Sequence, residues 1–195
     1  MQRKIPFRSP GKSGAGSEVN LVLTGFRGAG KSAVGKDLAR RLALGHLDTD
    51  ESLEKASGLS IREMVEKYGW DDFRAREKTL VRELSALDDH VISAGGGVVM
   101  DTENIRKLKR NGRILLLTAD AEVLLKRLRG DPATHDRRPP LAPRTGGNER
   151  DREVREALEK RAPYYFAAAD HVIDTTVLSV SEVVAVAAKW WEKTI

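Results

Sequence analysis

Residues 25 to 32 read GFRGAGKS. Two glycines stand with four residues between them, and a lysine and a serine follow. Glycine permits left-handed backbone that turns successive N–H groups inward, where they can surround an anion. The apolar run VNLVLTG, residues 19 to 25, predicts a buried strand leading into the loop. Residues 31 to 44 follow as a predicted helix, with Val34, Leu38, Ala39 and Leu42 on one face. A strand, a glycine-rich loop and a helix N-terminus, in that order, cradle phosphate groups. The candidate nucleotide-binding residues are therefore Gly28, Ala29, Gly30, Lys31, Ser32 and Ala33. In such a loop the lysine reaches the β- and γ-phosphates and the serine hydroxyl meets magnesium. The implied ligands are a nucleoside triphosphate and Mg2+.

The rest of the chain alternates short apolar runs with helical patterns. Further strands are expected at GHLDTD (45 to 50), HVISAGGG (90 to 97), RILLLTA (113 to 119) and HVIDT (171 to 175). Helices are expected over 51 to 57, 60 to 68 and 71 to 87, with breaks near Gly58 and Gly69. Others fall at 102 to 110, 120 to 129 and 181 to 193. Continuous apolar strands separated by helices predict an α/β fold. Its parallel sheet of about five strands would be covered by helices on both faces. Ligands of such sheets bind beyond the carboxyl ends of the strands. The stretch GDPATHDRRPPLAPRTGGN, 130 to 148, carries four prolines between two helices and reads as a lid.

Charge decides between partners. The formal net charge is +5, and Arg3, Lys4, Arg8 and Lys12 supply +4 of it within residues 1 to 17, which hold no acid. That segment is rich in Ser, Gly and Pro and reads as a disordered basic extension. Its GKSGAG has no strand before it and no helix after it, so it is not read as a second phosphate loop. Residues 18 to 195 are read as one domain of nearly neutral charge, which argues against nucleic acid as a partner. No apolar run approaches the roughly 20 residues of a membrane span. The first residues lack the apolar centre of a secretory signal. Cysteine is absent, which excludes disulfides and thiolate metal sites and fits a cytoplasmic location. A monomer is expected.

Five further motifs follow the phosphate loop: DTD at 48 to 50, FR at 73 to 74, GGG at 95 to 97, RRPPL at 137 to 141 and KRAPYY at 160 to 165. Taken singly, each has an ordinary reading. Asp50 reads equally well as the N-cap of a helix starting at Glu51. Arg74 reads as a solvated helix arginine, Arg161 as a complement to a helix dipole, and the glycines as a tight loop. Together and in this order, over nearly all of residues 19 to 192, they resemble the shikimate kinase family, small-metabolite kinases of the P-loop kinase fold.

The resemblance implies ATP-dependent phosphorylation of shikimate to shikimate 3-phosphate, a step toward chorismate and the aromatic amino acids. It implies that Asp50 grips the acceptor hydroxyls and that Asp48 lies near the metal beside Ser32. Arg74 and Arg161 match arginines that clamp the shikimate carboxylate, and guanidinium forks suit a carboxylate well. Gly95, Gly96 and Gly97 would let the ring approach the backbone. Arg138, directly before Pro139, matches a lid arginine that meets the transferring phosphoryl. Arg127 is similar to an arginine that contacts adenine. Lys31, Asp50 and Arg138 are thus the expected catalytic residues. Two departures stand out: Ala33 occupies a position where many relatives carry a second hydroxyl, and TTVLSVS after Asp174 lacks the Arg or Asn-Pro of the usual adenine loop.

Rival readings are a gluconate-type or nucleotide kinase, a GTPase and a nucleic-acid-binding module. The first would keep the phosphate loop and change the acceptor residues. A GTPase would carry an Asn-Lys-x-Asp guanine motif, and none occurs.

Overall fold

Strands made of unbroken Val, Leu and Ile must be covered on both sides. The computed structural model describes residues 19–131 and 147–195, side chains of 147–150 excepted. Its five strands are β1 (Asn20–Thr24), β2 (Gly45–Asp48), β3 (His90–Ser93), β4 (Gly112–Thr118) and β5 (His171–Asp174). They form one parallel sheet in the order β2-β3-β1-β4-β5. Every residue of β1 and β3 is buried, whereas β2 and β5, at the edges, are partly open. From β1 the chain runs out to β2 and returns through β3. It then crosses β1 to reach β4 and β5 on the other side. The loop after β1 therefore leaves the middle of the sheet, where connections diverge and ligands bind.

The helices are α1 (Lys31–Leu42), α2 (Thr49–Ser57), α3 (Ile61–Leu84), α4 (Thr102–Arg110), α5 (Ala121–Arg129), α6 (Gly147–Ala168) and α7 (Val180–Trp191). α1 packs on α7 and β3, α4 on α3 and β4, and α6 on α5 and β4. Leu21, Leu23, Ile92, Leu115 and Leu117 of the sheet and Leu38 of α1 are wholly buried. Asp48, Ser60, Asp101 and Ser179 cap α2, α3, α4 and α7 through their side chains. α1 differs: it starts after Gly30 with no side-chain cap and no acidic residue in its first turn. Its N-terminal N–H groups and positive dipole end are left for an anion.

Several boundaries move from the sequence expectation. α1 stops at Leu42 because Ala43 turns left-handed at φ 55°. β3 ends at Ser93, before the three glycines. β2 ends at Asp48, and Thr49 and Asp50 already belong to α2, so Asp50 is not the N-cap of that helix. The cap is Asp48, whose extended backbone lets Oδ1 accept from Asp50 N at 2.9 Å and from Glu51 N at 3.3 Å. The break expected near Gly69 is present: Gly69, at φ 81° and ψ 169°, lies outside helical backbone and divides α3 into two helical segments. The basic extension and most of the lid, including Arg137 and Arg138, lie outside the described residues. At the far end of the expected lid, Gly147 and Asn148 are already helical.

Candidate active site

The loop between β1 and α1 turns on Gly25, Gly28 and Gly30, at φ 141°, 84° and 90°. A side chain at Gly25 would run into the Leu117 carbonyl of β4, so the loop is pressed against the sheet's end. Lys31 folds back across the loop. Its Nζ donates to Gly25 O at 2.8 Å and to Phe26 O at 3.0 Å, and only 9% of the residue is exposed. The ammonium thus stands over the concave side that the glycines create.

Ser32 Oγ donates to Asp48 Oδ2 at 2.6 Å. A hydroxyl from α1 and a carboxylate from the end of β2 therefore converge beside the loop. Both are hard oxygen donors. Mg2+ is held by one or two such protein groups, with substrate phosphates and water completing its shell, so this pair fits the ion. Beneath the loop, Ser93 Oγ donates to Lys31 O at 3.1 Å and also meets His46 Nε2 at 3.1 Å. Burial, only partly offset by Asp48, pushes the His46 pKa down and favours the neutral ring.

Next to the loop lies an open cleft of about 460 Å³. Asp50, Arg74, Gly96, Gly97 and Arg161 line it, as expected, together with Arg27, Trp70, Phe73 and Glu77. Local structure explains the placement. Capping by Asp48 sets Asp50 in the first turn of α2, and Thr49 Oγ1 accepts from Gly95 N at 2.7 Å, which ties that turn to the glycine loop. A Cβ on Gly95 would stand 2.5 Å from Asp50 Oδ1, and one on Gly97 would overlap the Arg74 guanidinium. These glycines let two charged side chains lie flat against the backbone.

Arg74 is held by Glu77, whose Oε2 accepts from Nη1 at 2.6 Å. The guanidinium also rests near the rings of Trp70 and Phe73, at 5.3 and 5.2 Å from their centroids. Arg161, from α6, lies 5.8 Å from the Phe26 ring of the phosphate loop. Burial raises the Glu77 pKa, Arg74 and then Arg161 pull it down, Asp50 pushes it up, and the net direction is upward. One carboxyl thus senses all three charged residues among those expected at the acceptor.

On the opposite side of the loop, Arg127 bridges two segments. Nη1 donates to Gly28 O at 3.4 Å and to Thr175 Oγ1 at 3.0 Å, and Nη2 donates to Thr175 O at 2.6 Å. It fastens the phosphate loop to the loop after β5. Ala33 is exposed in the first turn of α1.

A sequence profile of shikimate kinase matches residues 27–192. The chain belongs to the shikimate kinase family. It is a phosphotransferase that uses ATP to phosphorylate shikimate. The shikimate kinase of Syntrophus aciditrophicus is 40% identical over 169 residues, covering 85% of this chain and 87% of that one. That of Caldanaerobacter subterraneus is 42% identical over 164 residues, covering 84% and 91%. The solved shikimate kinase of Acinetobacter baumannii, in complex with shikimate, superimposes with a TM-score of 0.81 at 28% identity, over 90% of this chain and 94% of that one. A gluconokinase from Sinorhizobium meliloti, at TM-score 0.58 and 16% identity over 91% and 93% of the two chains, shares the fold only.

All the expected acceptor residues except Gly95 line one cleft, and Gly95 adjoins Asp50. Sequence reasoning missed Arg27, Trp70 and Glu77 as cleft residues. Glu77 carried a signal, because it stands three residues after Arg74 on a helix, the spacing of a facing ion pair. Arg27 lies inside the phosphate loop, where attention went to its neighbours.

Proposed function

We propose that the cleft between Arg74, Arg161 and Asp50 holds shikimate and that the β1–α1 loop holds ATP, with phosphoryl transfer between them giving ADP and shikimate 3-phosphate. One observation carries this reading. The cleft that contains two arginines and an aspartate is walled on one side by the phosphate loop itself, through Arg27. Acceptor and donor would meet without crossing any other structure. Arg74 and Arg161 take the carboxylate as forks. Asp50 accepts hydrogen bonds from the ring hydroxyls and is placed to take the proton of the attacking one. Gly95, Gly96 and Gly97 let the ring lie against backbone.

Phosphoryl transfer passes through a loose transition state, so positioning and charge neutralisation do most of the work. Gly28, Gly30 and Ala33 present backbone N–H groups to the phosphates, Ala29 braces the loop through its N–H to Phe26 O at 3.2 Å, and Lys31 swings from its carbonyl partners onto the phosphates. Ser32 and Asp48 would hold Mg2+, which supplies charge neutralisation at the β- and γ-oxygens when bound. Arg127 borders the nucleotide base. Arg138 completes the charge set from the lid, a role that rests on the RRPPL resemblance alone. The absence of cysteine supports a cytoplasmic location. Among the described residues no helix is long and apolar enough to cross a membrane.

The deciding experiment measures ADP release with shikimate, gluconate and AMP as acceptors. Turnover should depend on shikimate. Equal or faster release with gluconate would replace this reading with the gluconate-type one.

A further inference from the structure

Tyr165 joins α6 to the glycine wall of the acceptor cleft. Only 3% of it is exposed. Its hydroxyl donates to the Gly96 carbonyl at 2.5 Å, a contact between residues 69 apart in sequence. Arg161 stands one helical turn earlier on α6, and its positive charge acts on the same hydroxyl. A phenol has one proton to give and a carbonyl only accepts, so Tyr165 gives to Gly96. Burial lifts the phenol pKa to about 12, so the proton stays in place through the neutral range.

Packing alone does not explain the hydroxyl. The ring lies among Phe26, Ala29, Leu158 and Ala162, where a phenylalanine ring would fill the same space. A buried hydroxyl must find a partner, and the partner here is the acceptor loop. A Cβ on Gly96 would stand only 3.4 Å from the phenol oxygen, so this approach is tight. Pro163 lies two residues earlier inside α6 and has no N–H to give the helix. The helix turn that carries Tyr165 thus lacks one of its own bonds and is tied to the glycine loop instead.

We infer that Tyr165 is a positioning residue for the acceptor, tying the turn of α6 that carries Arg161 to the Gly96 backbone so that the two cleft walls keep a fixed spacing. The inference rests on the reading of Arg161 as a carboxylate ligand. It concerns ground-state binding of shikimate more than the chemical step, and it leaves the nucleotide side untouched.

The test uses the full chain with Tyr165→Phe, Arg161→Lys and the double substitution. Shikimate binding is measured by calorimetric titration, KM for both substrates by steady-state kinetics, and stability by thermal melting. Tyr165→Phe should weaken shikimate binding about tenfold. KM for ATP should stay at the parent value. In the Arg161→Lys background the same change should cost much less, because the guanidinium that the tie positions is gone. Unchanged shikimate affinity in Tyr165→Phe, whatever its melting temperature, would make the hydroxyl a core feature only and overturn the proposal. Equal losses for shikimate and ATP would overturn it too, since they would report general loosening of the phosphate loop. Failure of the underlying reading looks different. Arg161→Lys alone would then bind shikimate as the parent does, and the proposal would fall with it.

Discussion

Arg74 Nη1 donates to Glu77 Oε2 at 2.6 Å, and the two side chains differ in exposure, 37% against 3%. The acid is sealed behind the cleft while the arginine faces it. A guanidinium spends one edge of its fork on the buried carboxylate and keeps donors on the other edge for a substrate. Lysine has charge without that fork. Arg74→Lys should therefore weaken shikimate binding by about ten- to a hundredfold, the range set by charge-assisted bonds of roughly 1.5–3 kcal/mol. ATP binding should barely change. Shikimate titrations that overlay those of the parent would return Arg74 to the status of a surface residue.

Glu77 gives a prediction in pH. Its pKa is raised, chiefly by burial. In the native chain it therefore holds its proton above the usual glutamate range, where the unfolded chain has lost it. Stability falls with rising pH over that window, since the native state binds more protons there. Above the raised native value the effect is constant. Glutamine keeps the shape and removes the titration. Melting curves of parent and Glu77→Gln, taken from about pH 4 to about pH 8, should show the parent losing ground to the variant as pH rises through the window. A constant difference across the range would show that burial does not govern this carboxyl. Shikimate affinity of the variant should fall, because Arg74 loses the charge that orients it.

Lys31 is satisfied by Gly25 O and Phe26 O and is almost covered. That geometry allows a structural role as well as a nucleotide role, and Lys31→Met separates them. Methionine keeps the apolar stem and deletes the ammonium. Turnover should vanish while the melting temperature stays nearly unchanged. Substantial shikimate-dependent ADP release from the variant would remove Lys31 from the mechanism. A collapse in melting temperature would make it a loop brace.

The elements most legible in the sequence were those whose cause is local. VNLVLTG and RILLLTA are apolar without alternation, and β1 and β4 are buried as that pattern requires. The strand order was not legible, because nothing in a strand's own residues names its neighbour. DTD misled for a specific reason. Asp48 and Asp50 can both cap a helix, and only the extended backbone at Asp48, paired with Ser93 of β3, selects the first. The candidate site was legible only through the resemblance to the shikimate kinase family; the structure lines one cleft with Asp50, Arg74, Gly96, Gly97 and Arg161. Tyr165 ends the KRAPYY motif, and nothing in that stretch marks it. Its meaning depends on Gly96, 69 residues away, and no spacing rule reaches that far.

Arg138 is the one catalytic assignment that stands on sequence alone. Pro139 biases the residue before it toward extended backbone, which would aim the arginine. Contacts made only in the transition state lower turnover and leave ground-state binding intact. Arg138→Ala should depress turnover by about 10³–10⁵, the range for arginines in this role, with shikimate affinity little altered. Arg137→Ala is the control, and equal losses in both would show that the segment needs only bulk positive charge.

Gly97 offers the most local test of the cleft. Its φ of −102° is open to any residue, so alanine brings no backbone strain. The added methyl would instead occupy the space where the Arg74 guanidinium lies. That guanidinium is the free end of a flexible side chain, so it can retreat without disturbing the core. The consequence falls on Arg74's aim and on its bond to Glu77. Gly97→Ala should melt close to the parent, bind ATP as the parent does and bind shikimate more weakly. The loss should approach that of Arg74→Lys, and the two should not add when combined, because both act through one side chain. Fully additive losses in the double variant would mean that Gly97 serves the acceptor by a separate route, such as the approach of the ring to the backbone.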